Sequence, residues 1–304
     1  MRPFIFRLPE WLGRIPDWIP GIGGTQIGGR PLFSYGVMLG TSVLLGWFLA
    51  LLLNERMGIS RKKLNTILGW SFVGAILGAR LLYFAASAPD DFSLVRFFQF
   101  SKGGLVAYGG FIGGLSTSVV VARITKVDWW TAADGTAPSM LLGTGITRIG
   151  CWSFGCDFGL KSHAFWGVQF PQWNIPALHP WMHGHSPAYM QHYPSPAQIA
   201  DPILSDPVLP AQLIMSLNGF IGFFLLMALF PRRKFRGQMI VLFFIYYGAT
   251  RFLIELIRGD TLRGTTTFGL PLSTSQFVSV AILLASIPLW MILQKRNATD
   301  PENP

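Results

Sequence analysis

The chain has 304 residues, 51% of them hydrophobic and 12% charged, with a mean hydropathy of +0.43 and a formal net charge of +10. Soluble domains carry about 25% charged residues, so this composition excludes an ordinary soluble globule. The positive balance does not mark a nucleic-acid surface either, because the lysines and arginines fall in short loops between apolar runs, the pattern that orients a chain in a bilayer.

Residues 1–31 contain no apolar run long enough for the core of a signal peptide, and with Trp11, Trp18 and scattered prolines and arginines they read as an interfacial segment. About 20 apolar residues cross the hydrocarbon core. Seven runs qualify: 32–53, 64–86, 103–122, 129–151, 211–230, 237–257 and 272–293. The fourth carries Asp134, Pro138 and Arg148. The expected fold is therefore all-α, a single polytopic membrane domain over 1–304 with about seven transmembrane helices.

Small residues four apart let helix backbones approach closely. Gly74 and Gly78 have this spacing in the second span, and Gly109–Gly113 and Gly110–Gly114 overlap in the third. The third-span glycines directly follow Tyr108 and would also admit a ligand beside the backbone. All five histidines, His163, His179, His183, His185 and His192, lie in the Pro- and Trp-rich stretch 153–210 between spans four and five. It has neither an HExxH pattern nor a carboxylate beside its HPWMHGH run, so it reads as a solvated segment on the membrane surface, not a metal site. Two cysteines, Cys151 and Cys156, are too few for a disulfide framework, although a single bridge between them is open.

The loops after spans one, three and five and the tail after span seven hold 12 basic residues, whereas the long 153–210 segment holds only Lys161. Positive charge stays inside. The expectation is an N-terminus and 153–210 segment outside, and a C-terminus in the cytoplasm. With this orientation Arg80, Arg148 and Arg251 lie late in outward-going spans, and Tyr35 and Tyr108 early in inward-going ones. All five belong to the outer half of the membrane. Glu255 and Arg258 follow Arg251 at i+4 and i+7, on one helix face. A charge in hydrocarbon costs roughly 3 to more than 10 kcal/mol. Three arginines at that cost point to an anionic ligand within the membrane, most simply a phospholipid head group.

Taken together, the segments FSYGVML (33–39), GARLLYF (78–84), GGLVAYGGFIGG (103–114), DGTAP (134–138), RIGCWSFGCDFG (148–159), LPAQL (209–213) and YGATRFLIELIRGD (247–260) resemble the prolipoprotein diacylglyceryl transferase family. The resemblance implies a bacterial inner-membrane enzyme. It would move an sn-1,2-diacylglyceryl group from phosphatidylglycerol to the lipobox cysteine of a prolipoprotein, releasing glycerol phosphate, with no metal or other cofactor and no nucleic acid. Arg148, Arg251 and Tyr108 are then the expected catalytic residues. Tyr35, Arg80, Gly109, Gly110, Gly159, Gln212, Glu255 and Arg258 are expected at the substrate site, Arg80 being equally open to an ion pair with a carboxylate such as Glu255. The sequence departs from the family pattern in places. Tyr108 stands where some members have histidine, Cys151 where asparagine is frequent, Cys156 where there is glutamate, and Leu209 and Met215 replace a histidine and a glutamate. These departures keep two alternatives open: a divergent member with another acceptor, and a non-catalytic lipid-binding or transport protein.

Overall fold

The structure is a computed structural model and describes residues 4–7, 9, 13, 31–86, 88–89, 92–99, 104–171, 185–193, 204–260 and 271–298. Most of the expected interfacial segment 1–31, with His179 and His183, therefore lies outside the described residues. Two short strands, β1 (Phe4–Arg7) and β2 (Pro31–Phe33), pair ahead of the first helix. Long helices follow: α1 (Ser34–Glu55), α2 (Arg61–Ala86), α4 (Ala107–Ile124), α5 (Trp129–Phe154), α7 (Ala211–Leu229), α8 (Gln238–Glu255) and α9 (Thr274–Ala298). Two short helices, α3 (Leu94–Phe98) and α6 (Pro187–His192), lie in connections, and a 3-10 turn at Phe230–Arg232 extends α7.

Each expected span coincides with a long helix, with ends shifted by a few residues. Among the described residues, six of these helices are long and apolar enough to cross a membrane. The chain is a multi-pass, all-helical membrane protein. The fourth expected span, α5, runs unbroken for 26 residues but is not one of the six. Asp134, Arg148 and several threonines lower its hydropathy. Its surface is instead turned inward: Ala132, Ala133, Asp134, Ala137, Leu141, Ile146 and Cys151 are buried. A helix enclosed by protein need not be apolar all round.

The chain divides into two compact units: residues 7–31 with 51–135, and residues 1–6 with 32–50 and 136–304. In the first, α2 and α4 meet through their glycines. A Cβ on Gly78 would run into the Gly109 carbonyl and lie 2.9 Å from Gly113 Cα, and one on Gly74 would lie 2.9 Å from the Gly113 carbonyl. Asp128 starts α5 by accepting from the Thr131 backbone N–H at 2.8 Å and its hydroxyl at 2.7 Å. The Trp129 indole donates to Ser118 at 2.9 Å.

In the second unit, short polar links tie the helices together. Ser216 of α7 donates to the Gly145 carbonyl of α5 at 2.8 Å, and Gly219 lies against the same turn. The Tyr246 hydroxyl of α8 donates to Asn218 of α7 at 2.8 Å, and Thr147 of α5 donates to Ser42 of α1 at 3.0 Å. A reciprocal cap opens α9. The Gln276 N–H donates to the Ser273 hydroxyl at 3.2 Å, and the Ser273 N–H donates to the Gln276 side chain at 3.0 Å.

The described part of 153–210 has a small core of its own beside exposed residues such as Phe165. Phe158, Phe170, Ala188 and Val208 form a buried cluster, with Trp152 and Val168 packed against it. Antiparallel bridges join Lys161 and Val168 to Val208, and Pro171 to Leu204. The apolar residues interleaved among its prolines and histidines find each other across the segment.

Candidate active site

Arg148 sits in the last two turns of α5. Beyond that helix Gly155 takes a φ of +79° and Asp157 a φ of +58°. The left-handed turn brings the Asp157 carboxylate back under the helix end. Its Oδ2 accepts from Arg148 Nη1 at 2.5 Å, and its Oδ1 accepts from Arg258 Nη2. Arg258 also grips Asp260, with Nε on Oδ1 at 2.9 Å and Nη2 on Oδ2 at 2.6 Å. Asp157 thus joins two arginines 110 residues apart in sequence (148 and 258). Burial works against the charge of Arg258, but the hydrogen bonds to Asp260 and the charge of Asp157 outweigh it and hold its pKa above the ordinary guanidinium value.

Gly159 explains how these segments meet. Its N–H donates to the Leu209 carbonyl at 3.0 Å, and it forms an antiparallel bridge with Arg258. A Cβ there would lie 2.7 Å from the Leu209 carbonyl and 3.0 Å from that of Ile257. Gln212, fully buried, donates to the Cys156 carbonyl at 2.8 Å, pinning the same turn from α7. The structure gives Gly159 and Gln212 the job of positioning Asp157. At the other side Tyr35 opens α1. Its ring lies 6.2 Å from that of Phe154, and its backbone faces Gly150.

The expected common face of Arg251, Glu255 and Arg258 is half right. Arg251 Nη1 pairs with Glu255 Oε2 at 2.6 Å within α8. Arg251 Nη2 also donates to Ser275 of α9 at 2.8 Å, and Ser273 donates to Glu255 at 2.8 Å. But α8 ends at Glu255, so Arg258 leaves that face and turns to Asp157 and Asp260.

Arg80 belongs to the other unit, where backbone carbonyls are among its partners. Its guanidinium donates to the carbonyls of Arg96 at 2.6 Å, Gly104 at 2.9 Å, Phe97 at 3.0 Å and Gln99 at 3.1 Å. It also lies over the Phe84 ring, 4.8 Å from the centroid. Three of those carbonyls belong to α3 and its C-cap, so Arg80 closes the end of that helix. Gly109 faces the Gly78 carbonyl, and Gly110 lies against Ala75 and Ala79, so both glycines pack on α2. Tyr108 precedes them in the first turn of α4.

Cys151 and Cys156 are free thiols. Cys151 Sγ donates to Asp157 Oδ2 at 3.3 Å, Cys156 Sγ lies 3.9 Å from that oxygen, and all three atoms fall within 4.8 Å of one another. A hydrogen bond with Cys151, and burial after it, push the Cys156 thiol well above its usual pKa, so it rests protonated. A metal ion fits this group poorly, because the carboxylate is already held by two guanidiniums and Arg148 Nη1 lies 3.8 Å from Cys151 Sγ.

Asp157 was missed in the sequence, as were Asp260 and Ser275. The Asp157 contact depends on a turn and on a partner far along the chain, and no periodicity announces either.

The fold and this site define a multi-span membrane protein with arginine–carboxylate groups gathered at one end of a helical unit. The sequence pattern of the prolipoprotein diacylglyceryl transferase family matches residues 24–292. This chain belongs to that family. It is 29% identical over 278 residues to a phosphatidylglycerol–prolipoprotein diacylglyceryl transferase of Bacillus cytotoxicus, covering 90% of this chain and 93% of that protein. Proteins of the same name from Bacillus cereus and Bacillus anthracis are 30% identical over 283 residues, with the same coverage.

Proposed function

We propose that this chain transfers the sn-1,2-diacylglyceryl group of phosphatidylglycerol to the lipobox cysteine of a prolipoprotein. The thiol sulfur bonds to the terminal glyceryl carbon, the carbon–oxygen bond to phosphate breaks, and glycerol phosphate leaves as the thiol gives up its proton. Negative charge grows on the phosphate oxygens as that bond opens. Preorganised donors aimed at growing charge in a water-poor site supply the largest catalytic effect.

One observation carries the assignment of Arg148 to that role. Of the three arginines paired with carboxylates around the ends of α5 and α8, Arg148 has the most open side chain, 23% exposed against 12% for Arg251 and 3% for Arg258. Only its Nη1 is engaged, and Nε and Nη2 have no partner among the described residues. A planar fork with an open edge suits a phosphate. Asp157 fixes the other edge. Arg251, held by Glu255 and Ser275, adds positive charge from α8. Tyr108 is assigned to the incoming thiol through its hydroxyl, which both donates and accepts hydrogen bonds. An incoming thiol, with a free pKa of about 8.5, loses its proton more readily near fixed positive charge. The orientation that fits is N-terminus outside and C-terminus in the cytoplasm, which presents lipid and signal peptide from the outer leaflet.

The test uses purified protein in phosphatidylglycerol-containing micelles with a lipobox peptide. Peptide heavier by one diacylglyceryl group and stoichiometric glycerol phosphate are expected. Lipid turnover with another acceptor and no lipidated peptide would mean a different acceptor. No turnover of either kind would remove the enzymatic reading. A C-terminal reporter active only outside the cytoplasm would reverse the orientation.

A further inference from the structure

Two thiols beside a phosphate-binding arginine are not required by the proposed transfer, whose thiol arrives on the substrate. We propose that Cys151 and Cys156 are a modification site: a dithiol that a disulfide oxidant closes into an intramolecular bridge, loosening Asp157 from its arginines.

The argument starts from position. Cys151 is in the last turn of α5, and Cys156 lies in the connection just past its end. The helix ends between them and Gly155 turns back with positive φ, so residues five apart come together instead of diverging around a helix. Their sulfurs lie within 4.8 Å of each other. Both are free, Cys151 buried and Cys156 partly exposed. The accessible thiol can meet an oxidant, and the buried one can resolve the product.

The reaction balances with an external disulfide, RSSR. Cys156 rests as the thiol, so the step begins when it gives its proton to solvent base; the thiolate then attacks one sulfur of RSSR, giving a Cys156–SR mixed disulfide and releasing RS⁻. Cys151 as thiolate then attacks the Cys156 sulfur, forming the Cys151–Cys156 bond and releasing the second RS⁻. The two protein thiol protons end on the two released thiolates. The protein loses two hydrogens and RSSR is reduced to two RSH.

The consequence follows from the residue next door. A disulfide holds its sulfurs about 2 Å apart. Closing the gap draws the turn at Cys156 toward α5, and Asp157 is the following residue. It also removes the proton that Cys151 donates to Asp157 Oδ2. The carboxylate that fixes the lower edge of Arg148 is displaced, while Arg258 keeps Asp260. Oxidation should therefore reduce transfer without unfolding the protein.

The activity readout rests on the transferase reading, but the bridge does not. Purified full-length protein is treated with oxidised glutathione or dithiothreitol, then split for intact mass, peptide mapping and transfer to a lipobox peptide. Expected are a loss of two hydrogens mapped to Cys151–Cys156, transfer at least ten-fold lower than in the reduced sample, and recovery with dithiothreitol. Cys156→Ser should show no change between the two treatments, read as a ratio within that variant so that any altered basal rate cancels. No bridge under oxidant overturns the proposal, and so does a bridge with unchanged transfer. If reduced protein shows no transfer at all, the transferase reading fails while the mass data still decide the bridge.

Discussion

Arg80 and Arg148 both sit in apolar helices, yet their surroundings differ in kind. Arg80 donates to four backbone carbonyls around α3 and the loop before α4. Arg148 meets one carboxylate on a turn and leaves an open edge. A carbonyl belongs to the fold and cannot be exchanged without opening the loop. A carboxylate on a side chain can share an arginine with a second anion, or shift to a neighbouring arginine. A buried positive charge therefore does not by itself mark a ligand site. The sort of partner it has, and the donors left over, separate an anchor from a binding group.

Removing the two arginines should break the molecule in different ways. Arg148→Ala should lower transfer by about 10²–10³-fold, in line with the loss of one transition-state donor. Its melting temperature in detergent should stay near that of the parent, because Asp157 retains Arg258. Lysine at 148 keeps the charge without the fork and should rescue only part of the rate. Normal transfer by Arg148→Ala would take that residue out of the mechanism.

Arg80→Ala should do the reverse. Hydrogen bonds from a charged donor contribute about 1.5–3 kcal/mol each, and they are not additive. A loss of about 3 kcal/mol of stability is expected, read as a lower melting temperature, with transfer per folded molecule close to that of the parent. Reduced transfer in a variant that melts normally would return Arg80 to the substrate site.

A smaller effect separates packing from ligand access at the third-span glycines. Gly109→Ala would place a methyl against the Gly78 carbonyl and should cost about 1–3 kcal/mol of stability by overpacking. Gly110→Ala has more room, with its nearest neighbours at 3.4 and 3.6 Å, and should be milder. If Gly110→Ala instead raises the KM for phosphatidylglycerol at unchanged stability, a lipid approaches the backbone there.

The helices were legible because a bilayer imposes a length on apolar runs, and even the start of α5 at Trp129 could be read despite Asp134 and Pro138. The α2–α4 contact was legible too, since the glycine spacing is a direct statement about backbone approach. Arg251 and Glu255 followed from i, i+4 spacing. Arg258 did not, because the counting assumed a helix that stops three residues earlier. The partners of Arg80 were invisible for a different reason. Backbone carbonyls carry no side-chain identity, so no letter of the sequence marks them. Asp157 was written in the RIGCWSFGCDFG motif, but its value lies in a left-handed turn and in a partner just past the end of α8. The buried cluster of Phe158, Phe170, Ala188 and Val208 was hidden among prolines and histidines, with no regular period to reveal it.

The smallest expected effect lies in that cluster, away from both arginines. His192 stacks edge-on against Phe158, with ring centroids 5.8 Å apart. Burial, joined by the charge of Lys161, pushes its pKa below the ordinary 6.5, while Asp206 pulls the other way. Folded His192 therefore resists a proton that the unfolded chain accepts. Its contribution to stability is full above about pH 6.5 and is lost as pH falls from there through the lower folded value. Asp206 acts further down. The hydrogen bond from Lys161, 2.6 Å long, holds its carboxyl below 3.8, so its contribution is lost only in stronger acid. Hydrogen exchange of amides in 158–171 should accelerate as pH is lowered below about 6.5, after correction for the intrinsic rate. His192→Gln, which cannot take up a proton, should flatten that dependence and leave the acid limb of Asp206 in place. An unchanged slope in His192→Gln would show that this segment does not sense His192, and the comparison between a carboxylate that is held and a histidine that is merely buried would have to be drawn elsewhere.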